Sequence, residues 1–125
     1  MGYVGLVSAV CLADLGHDVL GVDVDADRIG GLRRGEPPLR EPQLRELLVE
    51  CSASGKLHFA TASEADYSEI DVVLLCLPTP QGPGGECDVS ALQQAVADLG
   101  PRFWWPTKVP PTLTTTGKKR SSRRG

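Results

Sequence analysis

The first 29 residues, MGYVGLVSAVCLADLGHDVLGVDVDADRI, constrain the fold more than any other stretch of the chain. Gly2 and Gly5 open an apolar stretch with helical spacing, which ends at Gly16, a residue typical of helix C-caps. A run of β-branched and aliphatic residues follows and ends near Asp23. Two glycines before a helix, then a strand with a terminal acid, predict an alternating α/β chain rather than a helical bundle.

Strand and helix patterns continue to alternate through the next seventy or so residues. Helices are predicted over 26–34, 41–53 and 90–99, a helical turn over 63–68, and strands over 17–24, 57–60 and 71–77. The last of these, DVVLLCL, is apolar on both faces, as in a parallel strand buried inside a sheet. This alternation predicts an α/β fold with a doubly wound, Rossmann-type, mostly parallel sheet.

The two glycines match only the second half of a G-x-G-x-x-G fingerprint, with Met1 in the variable position before Gly2. A dinucleotide-binding fold begins with a buried strand that leads into the first glycine of this pattern. The sequence shows neither that strand nor that glycine. We therefore expect an incomplete sheet that lacks its first strand, and a chain that folds poorly by itself.

The residue types in this segment suit the binding of a dinucleotide. Gly2 would let the backbone approach a pyrophosphate, Gly5 would let the helix pack tightly on the sheet, and the helix N-terminus would supply amide groups and partial positive charge. Asp23 follows at about 20 residues, where an acid accepts hydrogen bonds from the ribose. Its charge disfavours a 2′-phosphate, so we expect NAD rather than NADP as cofactor.

The charge of the chain changes sign at Pro101. Residues 1–100 hold six Lys and Arg against all sixteen Asp and Glu, a balance of 6 − 16 = −10, whereas residues 101–125 hold seven basic residues and no acid. We expect a partial NAD-binding domain over 1–100 and, over 101–125, a basic tail that is disordered or the product of a shifted reading frame. Terminal charged runs are usually solvated, so nucleic acid is not an expected partner.

The remaining features exclude other classes of protein. The four cysteines and two histidines show no spacing typical of metal ligands, so no metal site is predicted. No apolar run approaches the roughly 20 residues of a membrane span, and the N-terminus does not read as a signal peptide. We expect a cytoplasmic protein without a membrane partner.

Four stretches of the chain belong together: GYVGL at 2–6, GVDVDADRI at 21–29, PPLREPQL at 37–44 and LPTP at 77–80, followed by Asp88 before a helix. In these stretches the chain resembles the UDP-glucose/GDP-mannose dehydrogenase family. They occur in the family's order and at its spacing. The resemblance implies an NAD-dependent oxidoreductase that oxidises the 6-hydroxymethyl group of a nucleotide sugar to a carboxylate in two hydride transfers, and whose full-length members oligomerise.

The resemblance also implies a set of cofactor-binding residues. Gly2, Tyr3, Val4 and Gly5 would hold the pyrophosphate, Asp23 the ribose, and Arg28 the adenine-side ribose region or a phosphate. The loop along the cofactor would consist of Leu77, Pro78, Thr79, Pro80 and Gln81. One departure concerns the Glu41-Pro42 pair, since Gln43 stands where the family usually has a glycine.

The family's catalytic cysteine, its catalytic lysine and its sugar-nucleotide domain lie downstream of the matching stretches. None of Cys11, Cys51, Cys76 and Cys87 has the matching context. We therefore predict no catalytic residue in this chain and no activity from the chain alone, because the nucleophile for covalent catalysis is not among its residues. The alternative is a stand-alone dinucleotide-binding module without catalysis, for which retained NAD affinity is the discriminating observation.

Overall fold

The computed structural model describes residues 1–100 and Arg102. In chain order the elements are α1 (Tyr3–Asp14), β1 (Val19–Asp23), α2 (Ala26–Arg33), α3 (Leu44–Ala53), β2 (Leu57–Thr61) and α4 (Ser90–Leu99). The tail predicted over 101–125 lies outside the described residues, except for Arg102, whose guanidinium donates to the carbonyl oxygen of Ala62 at 2.8 Å. Within the described part of the chain, no helix has the length and apolar character that crossing a membrane requires.

The two strands form a parallel pair. Their register runs from Val19 opposite Leu57 to Asp23 opposite Thr61. Parallel neighbours need a long crossover, which α2 and α3 supply here. The carboxyl ends of both strands therefore lie at one edge of the sheet, where ligands bind in open α/β folds.

The core lies between the sheet and the first three helices. Its largest side chains with under 2% exposure come from α1, α2, α3 and β2. Burying each side chain of this kind stabilises the fold by roughly 1.5–3 kcal/mol, so these few residues fix how the helices sit on the strands. They are Leu6, Val10, Ile29, Leu32, Leu48 and Leu57.

Capping residues fix the end of α1 and the start of α2. Gly16 adopts a φ of 98°, and the amides of Gly16 and His17 donate to carbonyls of the last turn of α1. This is a glycine C-cap, in which a left-handed residue satisfies carbonyls that the helix leaves open. Asp25 caps α2, since its carboxylate accepts from the amides of Asp27 and Arg28.

The prediction of a buried strand over 71–77 is wrong. These residues join no ladder with any other described residue, and their side chains are exposed. Val72 is 72% exposed and Leu74 61%. Apolar character on both faces gives a buried strand only where neighbours pair with it on both edges, and the edge of β1 that does not pair with β2 is also open among the described residues.

The helix predicted from residue 41 begins only at Leu44, because the chain turns sharply just before it. Gln43 has φ 65° and ψ −9°, the left-handed conformation. It is the one residue other than glycine with positive φ in the part of the chain that the structure describes. A side chain in this conformation brings its Cβ close to the following carbonyl oxygen, which explains why a glycine suits this position. The turn thus forms despite Gln43 and is strained by it.

We predict that Gln43→Gly stabilises the chain. The left-handed conformation costs an L-residue about 1–2 kcal/mol, and the added flexibility of glycine in the unfolded chain offsets part of that gain. Denaturant unfolding should show a midpoint higher by an amount equivalent to about 1 kcal/mol. Gln93→Gly, inside α4, is the matched control and should lower stability, since glycine is unfavourable within a helix. If Gln43→Gly is less stable than the original chain, the left-handed conformation of Gln43 does not strain the turn.

We also predict that an apolar strand added before Met1 stabilises the sheet. The segment KIAVIG, placed there, supplies hydrogen-bonding groups for the open edge of β1 and buries apolar side chains worth roughly 1.5–3 kcal/mol each. Calorimetry should then show a higher and sharper melting transition. A Gly-Ser extension of equal length is the control, and equal melting of the two extended chains would count against a free strand position beside β1.

Candidate functional site

The N-terminus of α1 is open to solvent. Gly2 is its N-cap, with no side-chain capping bond, and the first turn contains no acidic residue. The first amides of a helix lack intrahelical partners and carry partial positive charge, so this end of α1 attracts anions. A Cβ built on Gly2 would meet no atom within 4 Å. The space in front of the helix is therefore free for a ligand.

Gly5 faces the opposite way, into the structure. A Cβ on Gly5 would lie 3.3 Å from Cβ of Cys76 and 3.8 Å from Sδ of Met1. The 3.3 Å distance is shorter than an ordinary van der Waals contact. The absence of a side chain at Gly5 therefore lets α1 lie close to the 71–77 segment. Tyr3 and Val4, between the two glycines, are 54% and 64% exposed.

Asp23 lies at the carboxyl end of β1, and its carboxylate is held by three donors. Oδ1 accepts from the backbone amide of Asp25 at 2.9 Å. Oδ2 accepts from Nη1 of Arg28 at 3.0 Å and from the amino group of Met1. The side chain of Asp23 is only 8% exposed. The acid is thus fixed beside the start of α1.

These contacts set the charge of Asp23. Burial alone would raise the pKa of its carboxyl group, because it disfavours the charged form. The hydrogen bonds from the Met1 amino group, the Asp25 amide and Arg28 together outweigh burial and lower the pKa from 3.8 to about 2. Asp23 is therefore an anion at neutral pH.

Arg28 projects from the first turn of α2 and is 40% exposed. Besides Asp23, its guanidinium lies 3.9 Å from the carboxylate of Asp25. Asp25, the N-cap of α2, also orients both Asp23 and Arg28, a role that the sequence-based prediction of the site missed. The Asp-x-Asp spacing at the end of a strand was the available signal, since such acids bond to nearby backbone amides.

The loop of Leu77, Pro78, Thr79 and Pro80 follows the Cys76 contact with Gly5 and is exposed. Contacts with residues 87 and 88 hold the C-terminal end of this loop. The carbonyl oxygen of Pro80 accepts from the amide of Asp88 at 2.8 Å, and Gln81 forms an isolated antiparallel bridge with Cys87. The loop therefore begins beside α1, where Cys76 contacts Gly5, and is held at its other end by the bonds of Pro80 and Gln81.

The structure thus brings the predicted site residues into two groups. Gly2–Gly5, Asp23 and Arg28 are linked through the contacts of Met1 and of the Asp23 carboxylate. The 77–80 loop adjoins them only through Cys76 and Gly5. Among the described residues, no group of three His, Cys, Asp or Glu side chains is arranged to hold a metal ion.

A parallel strand pair with a glycine-opened helix and an acid at the carboxyl end of β1 defines a dinucleotide-binding α/β domain of the Rossmann type. Residues 1–106 match the model of the UDP-glucose/GDP-mannose dehydrogenase family, NAD binding domain. The chain belongs to this family, and NAD is the cofactor of the domain it matches. The predicted family, fold class and cofactor are confirmed.

Individual relatives agree with this assignment. The chain is 44% identical over 102 residues to a UDP-glucose 6-dehydrogenase of Haloferax volcanii, covering 79% of this chain and 23% of the relative. It is 35% identical over 100 residues to a GDP-mannose 6-dehydrogenase of Pseudomonas syringae pv. tomato, covering 80% and 23%. A solved UDP-glucose dehydrogenase from Pyrobaculum islandicum superposes with a TM-score of 0.73 at 40% identity, again covering 79% and 23%. The chain therefore spans about a quarter of the length of these relatives.

We predict that Asp23→Asn lowers stability in a pH-dependent way. Because folding depresses the pKa of Asp23 from 3.8 to about 2, its contribution is present above pH 3.8 and is lost as the pH falls through about 2. After allowance for solvent screening, the variant should lose about 1 kcal/mol at pH 7.

The measurement is denaturant unfolding of both chains between pH 7 and pH 2, and the difference between their free energies of unfolding should become smaller below pH 3.8. Asp18→Asn is the control at the other end of β1, since Asp18 is 79% exposed in its pair with Lys56. If the difference in free energy of unfolding between Asp23→Asn and the original chain stays constant down to pH 2, the ionised Asp23 carboxylate does not stabilise the fold through these contacts.

Proposed function

We propose that Gly2–Gly5, Asp23, Arg28 and the Leu77–Pro80 loop form the NAD site of this chain. The observation that carries the proposal is the placement of an anionic carboxylate at the carboxyl end of β1, next to an uncapped helix N-terminus. A dinucleotide needs both groups at this spacing, because its pyrophosphate is negative and its ribose offers hydroxyl donors.

Each residue has a separate task in this site. The amides at the start of α1 bind the pyrophosphate, and the open space at Gly2 allows its close approach. Asp23 accepts hydrogen bonds from the ribose hydroxyls. The loop after the 71–77 segment lies along the cofactor and orients its nicotinamide half. The bound cofactor supplies a hydride acceptor, which none of these side chains can provide.

Asp23 also accounts for the choice of NAD over NADP. With a pKa of about 2, the carboxylate is charged at any physiological pH. A 2′-phosphate would lie beside this charge and be repelled by it. Arg28 does not relieve the repulsion, since its guanidinium is already paired with Asp23 and is held towards Asp25.

The wider proposal concerns the whole protein. We propose that residues 1–100 are the cofactor-binding part of a nucleotide-sugar 6-dehydrogenase, with residues 101–125 as a basic tail. The relatives named above oxidise UDP-glucose or GDP-mannose according to their names, and this chain covers 23% of their length. The proposal includes a cytoplasmic location, a nucleotide sugar as substrate of the whole protein, and oligomerisation of the whole protein.

We predict weak binding of NAD by the chain, with dissociation constants in the millimolar range. The ribose must share the Asp23 carboxylate with Arg28 and the Met1 amino group, which lowers affinity. An NMR titration should shift amide signals at the start of α1 and around Asp23. Gly2→Val should weaken binding at least about tenfold, or ~1.4 kcal/mol, because its side chain fills the space for the pyrophosphate without touching the folded chain.

Two comparisons separate binding from folding. Asp23→Asn should weaken NAD binding at least about fivefold, or ~1 kcal/mol, while Asp18→Asn should leave it unchanged. Thermal melting of Gly2→Val should match that of the original chain, since no atom lies within 4 Å of the position. Micromolar affinity that survives both Gly2→Val and Asp23→Asn would refute the site. Formation of NADH from UDP-glucose or GDP-mannose by the chain alone would refute the proposal that this chain binds the cofactor but does not carry out the reaction.

A further inference from the structure

Arg33, in the last turn of α2, joins this helix to the carboxyl end of β2. Its Nε donates to the carbonyl oxygen of Phe59 at 3.0 Å, and its Nη2 donates to Oε2 of Glu64 at 3.0 Å. A guanidinium presents several donors in a fixed, planar arrangement, so one side chain can hold a strand carbonyl and a carboxylate together. None of these three residues belongs to the NAD site proposed above.

Glu64 is itself fixed to the end of β2. Besides Arg33, its Oε2 accepts from the backbone amide of Thr61 at 2.9 Å and from Oγ1 of Thr61 at 2.9 Å. The Thr61 amide, the Thr61 hydroxyl and the Arg33 guanidinium hold the pKa of the Glu64 carboxyl group below its usual range. Glu64 is therefore charged at neutral pH and links Arg33 to the last residue of β2.

The same end of β2 is bonded to Asp23. Thr61 lies opposite Asp23 in the strand register, and the amide of Ala62 donates to the carbonyl oxygen of Asp23 at 3.0 Å. The carboxylate of Asp23 in turn accepts from Arg28, in the first turn of α2. The contacts therefore form a closed ring, which runs from Asp23 through Arg28, α2 and Arg33 to the end of β2 and back.

The contacts at both ends of α2 matter because this helix is short and intrinsically weak. It spans only eight residues, and the adjacent Gly30 and Gly31 in its middle are unfavourable inside a helix. Ile29 and Leu32 bury one face of α2, but apolar burial is non-directional. We therefore expect the hydrogen bonds at its two ends to set how α2 lies along the sheet.

We propose that Arg33 is a positioning residue that keeps Arg28 on Asp23 and thereby makes the site selective for NAD. This role rests on the NAD site proposed above. In dinucleotide-binding folds, an arginine near the ribose-binding acid accommodates the 2′-phosphate of NADP. Arg28 is the arginine at this place, and its bond to Asp23 keeps it from such a phosphate. Release of α2 at Arg33 frees Arg28 to bind the 2′-phosphate.

Binding of both cofactors by the full chain tests this role. NMR titrations with NAD and with NADP give the ratio of the two dissociation constants, which should favour NAD at least about fivefold in the original chain. Arg33→Gln should lower this ratio at least about threefold, because Arg28 is then free to pair with the 2′-phosphate. In a chain that also carries Arg28→Gln, the change at Arg33 should leave the ratio unaltered. A merely structural defect would weaken the binding of both cofactors equally and would not move the ratio.

A double-mutant cycle without cofactor tests the link between Arg33 and Arg28 separately. The effects of Arg28→Gln and Arg33→Gln on the free energy of unfolding should not add, with a coupling of at least about threefold in the unfolding equilibrium constant. Arg34→Gln is the matched control. Arg34 follows Arg33 in the chain but pairs with Glu36 at 2.9 Å, outside the ring, so its cycle with Arg28→Gln should be additive.

Glu64→Gln is a milder variant that keeps the test valid if Arg33→Gln does not fold. The glutamine side chain retains an oxygen acceptor for Thr61 but has no charge, and Arg33 keeps its bond to the Phe59 carbonyl oxygen. The coupling of Glu64→Gln to Arg28→Gln should have the same sign as that of Arg33→Gln and be smaller.

Two results would overturn the proposal. The first is a coupling between Arg33→Gln and Arg28→Gln no larger than that of the Arg34→Gln control. The second is a ratio of the NAD and NADP dissociation constants that Arg33→Gln leaves unchanged. If the cycle shows coupling but the original chain binds neither cofactor, the NAD site is wrong, whereas the hold of Arg33 on Arg28 is confirmed.

Discussion

The carboxylate of Asp23 is the point on which the cofactor end of this domain depends. Three segments meet there, because Met1 precedes α1, Asp23 ends β1 and Arg28 belongs to α2. The Met1 amino group, the Asp25 amide and Arg28 all donate to this one carboxylate, so a single charge fixes how the helix starts sit relative to the strand end. These donors offset the cost of burying the charge, so removing one of them leaves part of that cost uncompensated.

Close approach of side chains to the backbone is the second constraint, and Gly21 and Gly5 allow it. A Cβ on Gly21 in β1 would lie 2.8 Å from the ring of Phe59, closer than real Cβ atoms come to other atoms. Gly5 meets Cys76 in a similar but less severe way. The first contact seats Phe59 across the strand pair, and the second seats α1 on the 71–77 segment. A larger residue at Gly21 would clash with the Phe59 ring, and one at Gly5 would press against Cys76.

Local patterns predicted most of the elements, because these depend on a few neighbouring residues. The α4 helix begins and ends where its apolar spacing indicates, and Gly16 caps α1 as expected. The 71–77 segment shows the limit of such patterns. Its apolar composition is typical of a strand buried inside a sheet, but strand pairing also requires a neighbouring strand, which local sequence does not provide. A glutamine by itself does not indicate a positive φ, so the left-handed Gln43 could be suspected only from the glycine that the resembling family usually has at this position.

For the candidate site too, local sequence predicted some features and only the fold shows the others. The order of two glycines, a helix and an acid predicted which residues belong to the NAD site, and that prediction stands as a proposal. The sequence could not show that the acid is shared with the amino group of Met1, which is close to Asp23 only in the fold. This sharing joins stability to binding, because the contacts that keep Asp23 ionised and in place are those that a ribose must compete with. Any change that frees the carboxylate for a ligand therefore weakens the arrangement that holds it at the strand end.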